Sequence, residues 1–434
     1  LYTRSFGSAA EKVMVTKLWC AGGPCKIAFE SSPLALDDAR LTYIIRQSQG
    51  RTGPGAPQAS QWFNRSLGDG WSGDNGCHPR AIVRDHVHRT AVGTAFAGVD
   101  ASQITISATS PSGHVLALTA GQEATAITAL ASNREFLFAN DADPDEPLKF
   151  VGQKLQRFVQ PAELASLTAT HNAWWGQYWK EKSGVQFGLD PDGTLSVAER
   201  FWYGTMYTLA VTNRVNYTTH TPPTGLWHNF YTANTQGWPG YTTDINMQSL
   251  YFGAAAANHA ETELAMIDLL DQFIRMGRAI SALAFNCSMN GDRGGGVLLP
   301  VEIGAYGATK TWSDQGLRSN GALMAMVHIV HARWTGEVGG QIYRYIREVG
   351  AFWECFLVKT EVDGGGYVYH DVNDCPYEIC AADHYATGIG PRFITPHNPP
   401  NSLAFVLTVF ESPARLLGGA GRRRRAAAEV EGHH

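Results

Sequence analysis

Asn140-Asp-Ala-Asp-Pro-Asp-Glu-Pro147 separates two textures of sequence, and the fold class turns on what lies on either side of it. Acidic and carrying two prolines, it is the most obvious linker in the chain. Upstream, Gln103-Ile-Thr-Ile-Ser-Ala-Thr109 and His114-Val-Leu-Ala-Leu-Thr119 alternate apolar with polar residues between Gly, Ser and Pro turn residues. Ala81-Ile-Val83 and Val87-His-Arg-Thr-Ala-Val92 read the same way. Short period-two runs about ten residues apart predict antiparallel strands packed as a β-sandwich over residues 1–145, not βαβ units.

Downstream the period changes. Pro161-Ala-Glu-Leu-Ala-Ser-Leu167 runs on to His171-Asn-Ala-Trp-Trp-Gly-Gln-Tyr-Trp179 as one helical segment. The spacing predicts a linker helix over 161–182, within a linker region 146–185. Ser196-Val-Ala-Glu199 has capping-box spacing and opens a second helix through Phe201, Met206 and Leu209. Further helices are predicted near 246–257, 259–278, 314–334, 337–358 and 401–411. Between them lie long Gly-, Pro- and Thr-rich loops at 217–243, 286–312 and 361–399. Loops of that length are unusual in a compact helical domain unless they carry function. A ring of antiparallel helices with its loops gathered at one end accounts for them. Residues 186–434 therefore read as an all-α toroid, so that the protein is multi-domain. No repeat of roughly 20–50 residues points to a solenoid.

The bulk numbers agree with a compact protein. Of 434 residues, 44% are hydrophobic and 17% charged, below the usual quarter or so. A net charge of −5 gives no general attraction to nucleic acid, and none is expected as a partner. The basic run Arg422 to Arg425 reads as a solvated tail. No stretch approaches the roughly 20 apolar residues of a membrane span, so none is expected. The chain starts at Leu1, without Met, as a fragment or a processed chain would. Cys20 with Cys25, and Cys375 with Cys380, are each spaced for a local bridge, and with seven cysteines in all one must stay unpaired within the chain. Zinc spacing is lacking, and no metal or cofactor is expected. Asn64, Asn216 and Asn286 stand in N-x-S/T sequons and are glycosylation candidates, consistent with a secreted or cell-surface protein. The sequence leaves the oligomeric state open.

Three loop segments concentrate the residues that carry chemistry. The densest is Pro222-Pro-Thr-Gly-Leu-Trp-His-Asn229, continuing to Gly237-Trp-Pro-Gly-Tyr-Thr-Thr-Asp-Ile-Asn-Met-Gln-Ser-Leu-Tyr251. Here Asp244 and Asn246 stand two apart at a helix mouth, where an extended backbone aims both to one side. The plain alternative is that Asp244 caps the helix. Next comes Leu299-Pro-Val-Glu302, on to Trp312-Ser-Asp314. The third, Gly364 to Glu378, carries Asp371, Asp374 and Glu378. Twelve Trp and sixteen Tyr, mostly after residue 170, suit a cleft that stacks against sugar rings, or else helix packing. Glycoside hydrolysis needs one protonated carboxyl for the leaving oxygen and a second group that activates water or attacks the anomeric carbon. Asp244 and Glu378, on separate loops, could supply the two.

Gly225-Leu-Trp227, then Trp238, then Tyr241-Thr-Thr-Asp-Ile-Asn-Met-Gln248 resembles the Gly-Ile-Trp … Trp … Tyr-Thr-x-Asn-Ile-Asn-x-Gln signature of glycoside hydrolase family 95, the α-L-fucosidases and α-L-galactosidases. Arg333-Trp-Thr-Gly-Glu337, Tyr345 to Trp353 and Pro376-Tyr-Glu378 follow in that family's order, and the resemblance spans roughly residues 80–411. It implies an (α/α)6 toroid over residues 186–434, incomplete in this chain, and an exo-acting, inverting enzyme that removes terminal α-L-fucosyl or related sugars from an oligosaccharide or glycan. It further implies Glu378 as general acid and Asn246 as a group positioning the attacking water. Trp227, His228, Trp238, Tyr241, Glu302, Trp312 and Asp374 become sugar contacts. Two departures stand out. Asp244 occupies the place of the family's first Asn, where it could act as a base carboxylate or mark altered specificity. The family's later aspartate has no counterpart up to residue 434, so the remaining half-barrel lies outside these residues or the domain is degenerate. Two other readings remain: a different (α/α)6 enzyme such as a disaccharide phosphorylase, and a glycan-binding or structural protein on a decayed scaffold.

Overall fold

A computed structural model describes residues 1–8, 11–30, 45–51, 61–67, 88–106, 113–132, 146–186, 188, 196–214, 241–287, 296–303, 317–370, 400 and 402–413. These fall into two compact units, one up to Gly184 and one from Val185. All strand pairs among them are antiparallel.

In the first unit, β1 (Tyr2–Gly7), β2 (Val13–Trp19), β3 (Cys25–Glu30), β4 (Ile45–Arg51), β5 (Gln61–Leu67), β6 (His88–Ala97), β7 (Ile104–Ile106), β8 (Gly113–Leu118) and β9 (Glu123–Ser132) form two sheets. Six strands run in the order β1-β2-β9-β6-β5-β4, and three in the order β3-β8-β7. Period-two patterning decides which face each side chain takes. Ile127, Ala129 and Ala131 of β9, with Val13, Val15, Ala91 and Ala95, join a core completed by Val151, Leu155 and Phe158. Those three lie on α1 (Glu146–Phe158), so a helix covers that face. The alternate residues Ala124 and Ala126 turn the other way, to a cluster shared with Leu18, Phe96, Ile27, Leu116 and Leu118 of both sheets. Cys20 and Cys25 are bridged, as their spacing suggests, across the turn between β2 and β3.

After α1 comes α2 (Pro161–Gln177), with Pro161 at its first turn, where a missing N–H costs nothing. It continues as a wider turn, Tyr178–Ser183. Trp174 stacks on Tyr178 at 5.2 Å and Trp175 on Trp179 at 5.7 Å, both i,i+4 pairs. These aromatics pack against one another.

The second unit holds α3 (Val197–Thr212), β10 (Tyr241–Thr242), α4 (Asn246–Ser249), α5 (Glu263–Phe285), β11 (Glu302–Ile303), α6 (Asn320–Thr335), α7 (Gly340–Phe356), β12 (Val358–Val362), β13 (Gly366–His370) and α8 (402–413). The Ser196 hydroxyl accepts from Glu199 N at 3.2 Å, the first half of the capping box read in the sequence. The helix expected at 246–257 shrinks to α4, followed by turns. Asn258 at φ 65° closes them, a left-handed position that an asparagine tolerates and a helix does not. The loop expected from 361 instead contains the β12–β13 hairpin, exposed along its length.

Helices α5, α6 and α7 build the main core. Ile342, Tyr345, Ile346, Val349, Phe352 and Trp353 recur at helical spacing on α7 and bury one stripe, while α6 is buried nearly all round. Gly336, at φ 79°, ends α6 in the left-handed cap typical of glycine. Val406 and Val409 of α8 join the same cluster. The buried run Gly296-Val-Leu-Leu-Pro-Val301 threads beside these helices. Its Val297 N donates to Glu348 O at 2.9 Å, and Leu298 N donates to Gly277 O at 3.2 Å. Two glycines permit the approach. A Cβ on Gly296 would stand 2.0 Å from Phe352 N, and one on Gly277 would stand 2.6 Å from Val297 Cγ1. Cys287 and Cys355 are bridged, tying the end of α5 to α7 across 68 residues. Among the described residues no helix is long and apolar enough to cross a membrane.

Candidate active site

The buried run delivers the chain to a two-stranded ladder in which Tyr241 faces Ile303 and Thr242 faces Glu302. Thr243 N extends it, donating to Val301 O at 2.8 Å. One face belongs to the core: Tyr241 and Ile303 are both buried in the helical cluster, and Tyr241 packs 6.0 Å from Phe273. Thr243 Oγ1 donates to Pro300 O at 2.7 Å. Alternation then assigns Thr242 and Asp244 to the opposite face.

Beyond the ladder the backbone turns sharply. Ile245 has φ 95°, a costly conformation for a β-branched residue. It is held by Gln248, fully buried, whose Oε1 accepts from Ile245 N at 2.8 Å while its Nε2 donates to Thr243 O at 2.6 Å. The kink folds Asn246 back on Asp244, and Asn246 Nδ2 donates to Asp244 Oδ1 at 2.7 Å. Asp244 is only 9% exposed. The N-cap position of α4 is Ile245, so Asp244 stands one residue outside it and binds the Asn246 side chain. A carboxylate accepting from the amide nitrogen leaves Asn246 Oδ1 as an acceptor with enhanced negative character. The pair can therefore hold a water or a hydroxyl by its proton. Behind it, Tyr251 donates to Asn213 Oδ1 at 2.6 Å, joining the end of α3 to this segment. Burial pushes the Tyr251 phenol well above its ordinary range.

Of the residues singled out in the sequence, Asp244 and Asn246 lie together here, with Glu302 in the paired strand, while Tyr241, expected to contact sugar, packs into the core on the other face. Trp227, His228, Trp238, Trp312, Asp374 and Glu378 lie outside the described residues, as do Asn216 and the Cys375–Cys380 spacing. Asn64 belongs to β5, and Asn286 is exposed in the left-handed position that ends α5. Gln248 escaped the sequence reading, though it lies three residues beyond Ile245, the capping-box distance that could have revealed it.

A second group of buried titratable residues lies at the start of α5. His331 Nδ1 is 3.0 Å from Glu263 Oε2, and its Nε2 is 3.7 Å from Glu337. Burial alone would lower the His331 pKa, but the two carboxylates outweigh it and raise the value. One turn earlier on α6, His328 stacks on Tyr345 at 4.4 Å, and burial pushes it down to about 3. No group of three or more His, Cys, Asp or Glu among the described residues is placed to hold a metal.

Residues 198–375 match the family model described as the glycosyl hydrolase family 95 catalytic domain. No curated protein matches the chain. Among solved structures, a protein described as a kojibiose phosphorylase from human microbiome superposes with a TM-score of 0.55 at 10% identity, covering 96% of this chain. That likeness concerns the fold alone, and the chain spans 50% of that protein's length. The matched region takes in the ladder, the kink at Ile245 and the Asp244–Asn246 pair, so this part of the chain is similar to that catalytic domain.

Proposed function

We propose that the protein is an exo-acting glycosidase that removes terminal α-L-fucosyl or related residues from glycans with inversion. The observation that carries this reading is the buried Asp244–Asn246 pair, 2.7 Å apart on the family 95 segment. In this mechanism Asn246 Oδ1 accepts a hydrogen bond from the attacking water, whose oxygen keeps that proton as the anomeric hydroxyl, and Asp244 takes the other proton as the new C–O bond forms. Glu378 protonates the leaving oxygen, and the glycosidic C–O bond breaks. Trp227, Trp238 and Trp312 would stack on the sugar, with His228, Glu302 and Asp374 as polar contacts. The same reading takes the sheets of the first unit as a β-sandwich and the helices of the second as part of an (α/α)6 toroid. It also takes the protein as secreted, with Asn64, Asn216 and Asn286 as glycan acceptors. The Cys20–Cys25 and Cys287–Cys355 bridges favour such an oxidising compartment.

The test follows the anomer of the first sugar released from an α-L-fucosyl oligosaccharide by proton NMR. The β-anomer is expected first, and an α-product would overturn inversion. Replacing Glu378 with Gln should lower kcat by roughly 10²–10⁴-fold on that substrate and far less on an aryl glycoside with a good leaving group. Equal losses on both would assign Glu378 another role. Asp at 244, where the family pattern has Asn, favours a second reading, a glycan-binding protein on a decayed scaffold. Sugar binding without turnover would select it.

A further inference from the structure

The start of α6 is buried and lacks a side-chain cap. Ser319 at the N-cap, Asn320 and Ala322 are all buried, and the N-cap side chain accepts nothing from the first turn. The first N–H groups of a helix have no partner within it, and burying them without an acceptor is unfavourable. The side chains at this end add donors. Asn320, 2% exposed on the first turn, directs its side chain back toward the helix start, and its amide nitrogen meets no hydrogen-bond partner among the described residues. Ser402, fully buried at the start of α8, donates its hydroxyl to Ser319 Oγ at 3.3 Å. That leaves the Ser319 O–H to donate in its turn. Arg318 stands just before the N-cap, its guanidinium 5.0 Å from the ring of Phe285, the last residue of α5. The helix macrodipole adds positive potential at the same end.

We infer that the N-terminus of α6 is an oxyanion site, taking phosphate or sulfate, free or esterified to a sugar. The Asn320 amide nitrogen, the Ser319 hydroxyl and the first-turn N–H groups donate to its oxygens, and Arg318 supplies the opposite charge. A group with several acceptor oxygens and no need of an acceptor itself matches a set made of donors. A neutral sugar hydroxyl would bring a further donor to be satisfied. The site goes beyond the glycosidase reading and does not depend on it, because anion binding is measured without turnover.

The experiment titrates the full chain with sodium phosphate and with sodium sulfate, using sodium chloride at matched ionic strength as the control, by calorimetry and thermal unfolding. Parent, Asn320→Asp and Arg318→Gln are compared. Phosphate or sulfate should raise the melting temperature of the parent to a plateau that chloride does not reach. Asn320→Asp places a carboxylate where the anion would sit. It should bind phosphate at least about tenfold more weakly, yet melt at or above the parent temperature when no oxyanion is present. Arg318→Gln should also weaken phosphate about tenfold. A sugar sulfate monoester that binds more tightly than inorganic sulfate assigns an esterified glycan as the ligand, and one that binds no better assigns the free anion. A parent that responds to phosphate and sulfate only as it does to chloride overturns the inference. So does parent-like phosphate affinity in Asn320→Asp, or a loss of stability in that variant without oxyanion, which would show that this helix end does not favour negative charge.

Discussion

Glu348 and Asp244 are both buried carboxylates in the second unit, and they are treated in opposite ways. Glu348, fully buried on α7, receives Arg278 through both oxygens, at 2.8 and 2.6 Å, and Arg347 at 2.9 Å. Burial works against its charge, but the two guanidinium groups hold its pKa below the ordinary carboxylate value. Asp244 instead binds the neutral amide of Asn246 beside a strained backbone. A charge matched by opposite charges is spent on structure. One that fixes an amide side chain can instead aim that amide's oxygen at a ligand. The difference separates a fastening between helices from a group placed for chemistry.

The comparison breaks most easily at Arg278. Arg278→Leu should leave the Glu348 carboxylate with Arg347 alone and cost about 3 kcal/mol in chemical denaturation, while the double replacement Arg278→Leu with Glu348→Met should recover most of it. If the single variant is as stable as the parent, Glu348 is not the fastening described. Asp244→Ala should behave in reverse. Stability should shift by no more than about 1 kcal/mol, while kcat/KM falls by about 10²-fold, near 2.7 kcal/mol of barrier. A variant that unfolds would place Asp244 with Glu348 as structure.

Smaller effects sharpen the contrast. Ile245→Gly should relieve the φ 95° conformation and gain up to about 1 kcal/mol, less what glycine adds to the unfolded chain's freedom. Turnover should fall in the same variant, because the kink would no longer hold Asn246 on Asp244. The smallest effect is the pH dependence of His331. Its folded pKa is raised, so the stabilisation from Glu263 and Glu337 is complete below the unfolded value of about 6.5. It is lost as pH rises through the folded pKa. Melting temperatures compared at pH 6 and pH 8.5 should therefore fall more for the parent than for His331→Gln, by the equivalent of under about 1 kcal/mol. An identical fall in both would remove His331 from the account.

Much of the local structure was legible. Period-two runs at 103–109 and 114–119 became β7 and β8, and the Ser196–Glu199 spacing opens α3 as read. Asp244 and Asn246 were read as sharing one side, and they do. The way they are brought together was not legible, because it depends on a left-handed Ile245 that no propensity would assign to isoleucine. The β12–β13 hairpin was missed because Tyr367-Val-Tyr-His370 follows a Gly-rich turn inside what reads as a polar loop.

By itself, the sequence determined where the periods change, which helix ends are capped, and the close spacing of Asp244, Asn246 and Gln248, since each is a property of neighbours along the chain. Only the tertiary structure decided that Cys287 meets Cys355, that Arg278 meets Glu348, and that Thr242 faces Glu302. Those partners stand some 60 to 70 residues apart. Each has many alternatives of equal local merit, and close packing of the whole core, down to the missing Cβ of Gly296, selects among them.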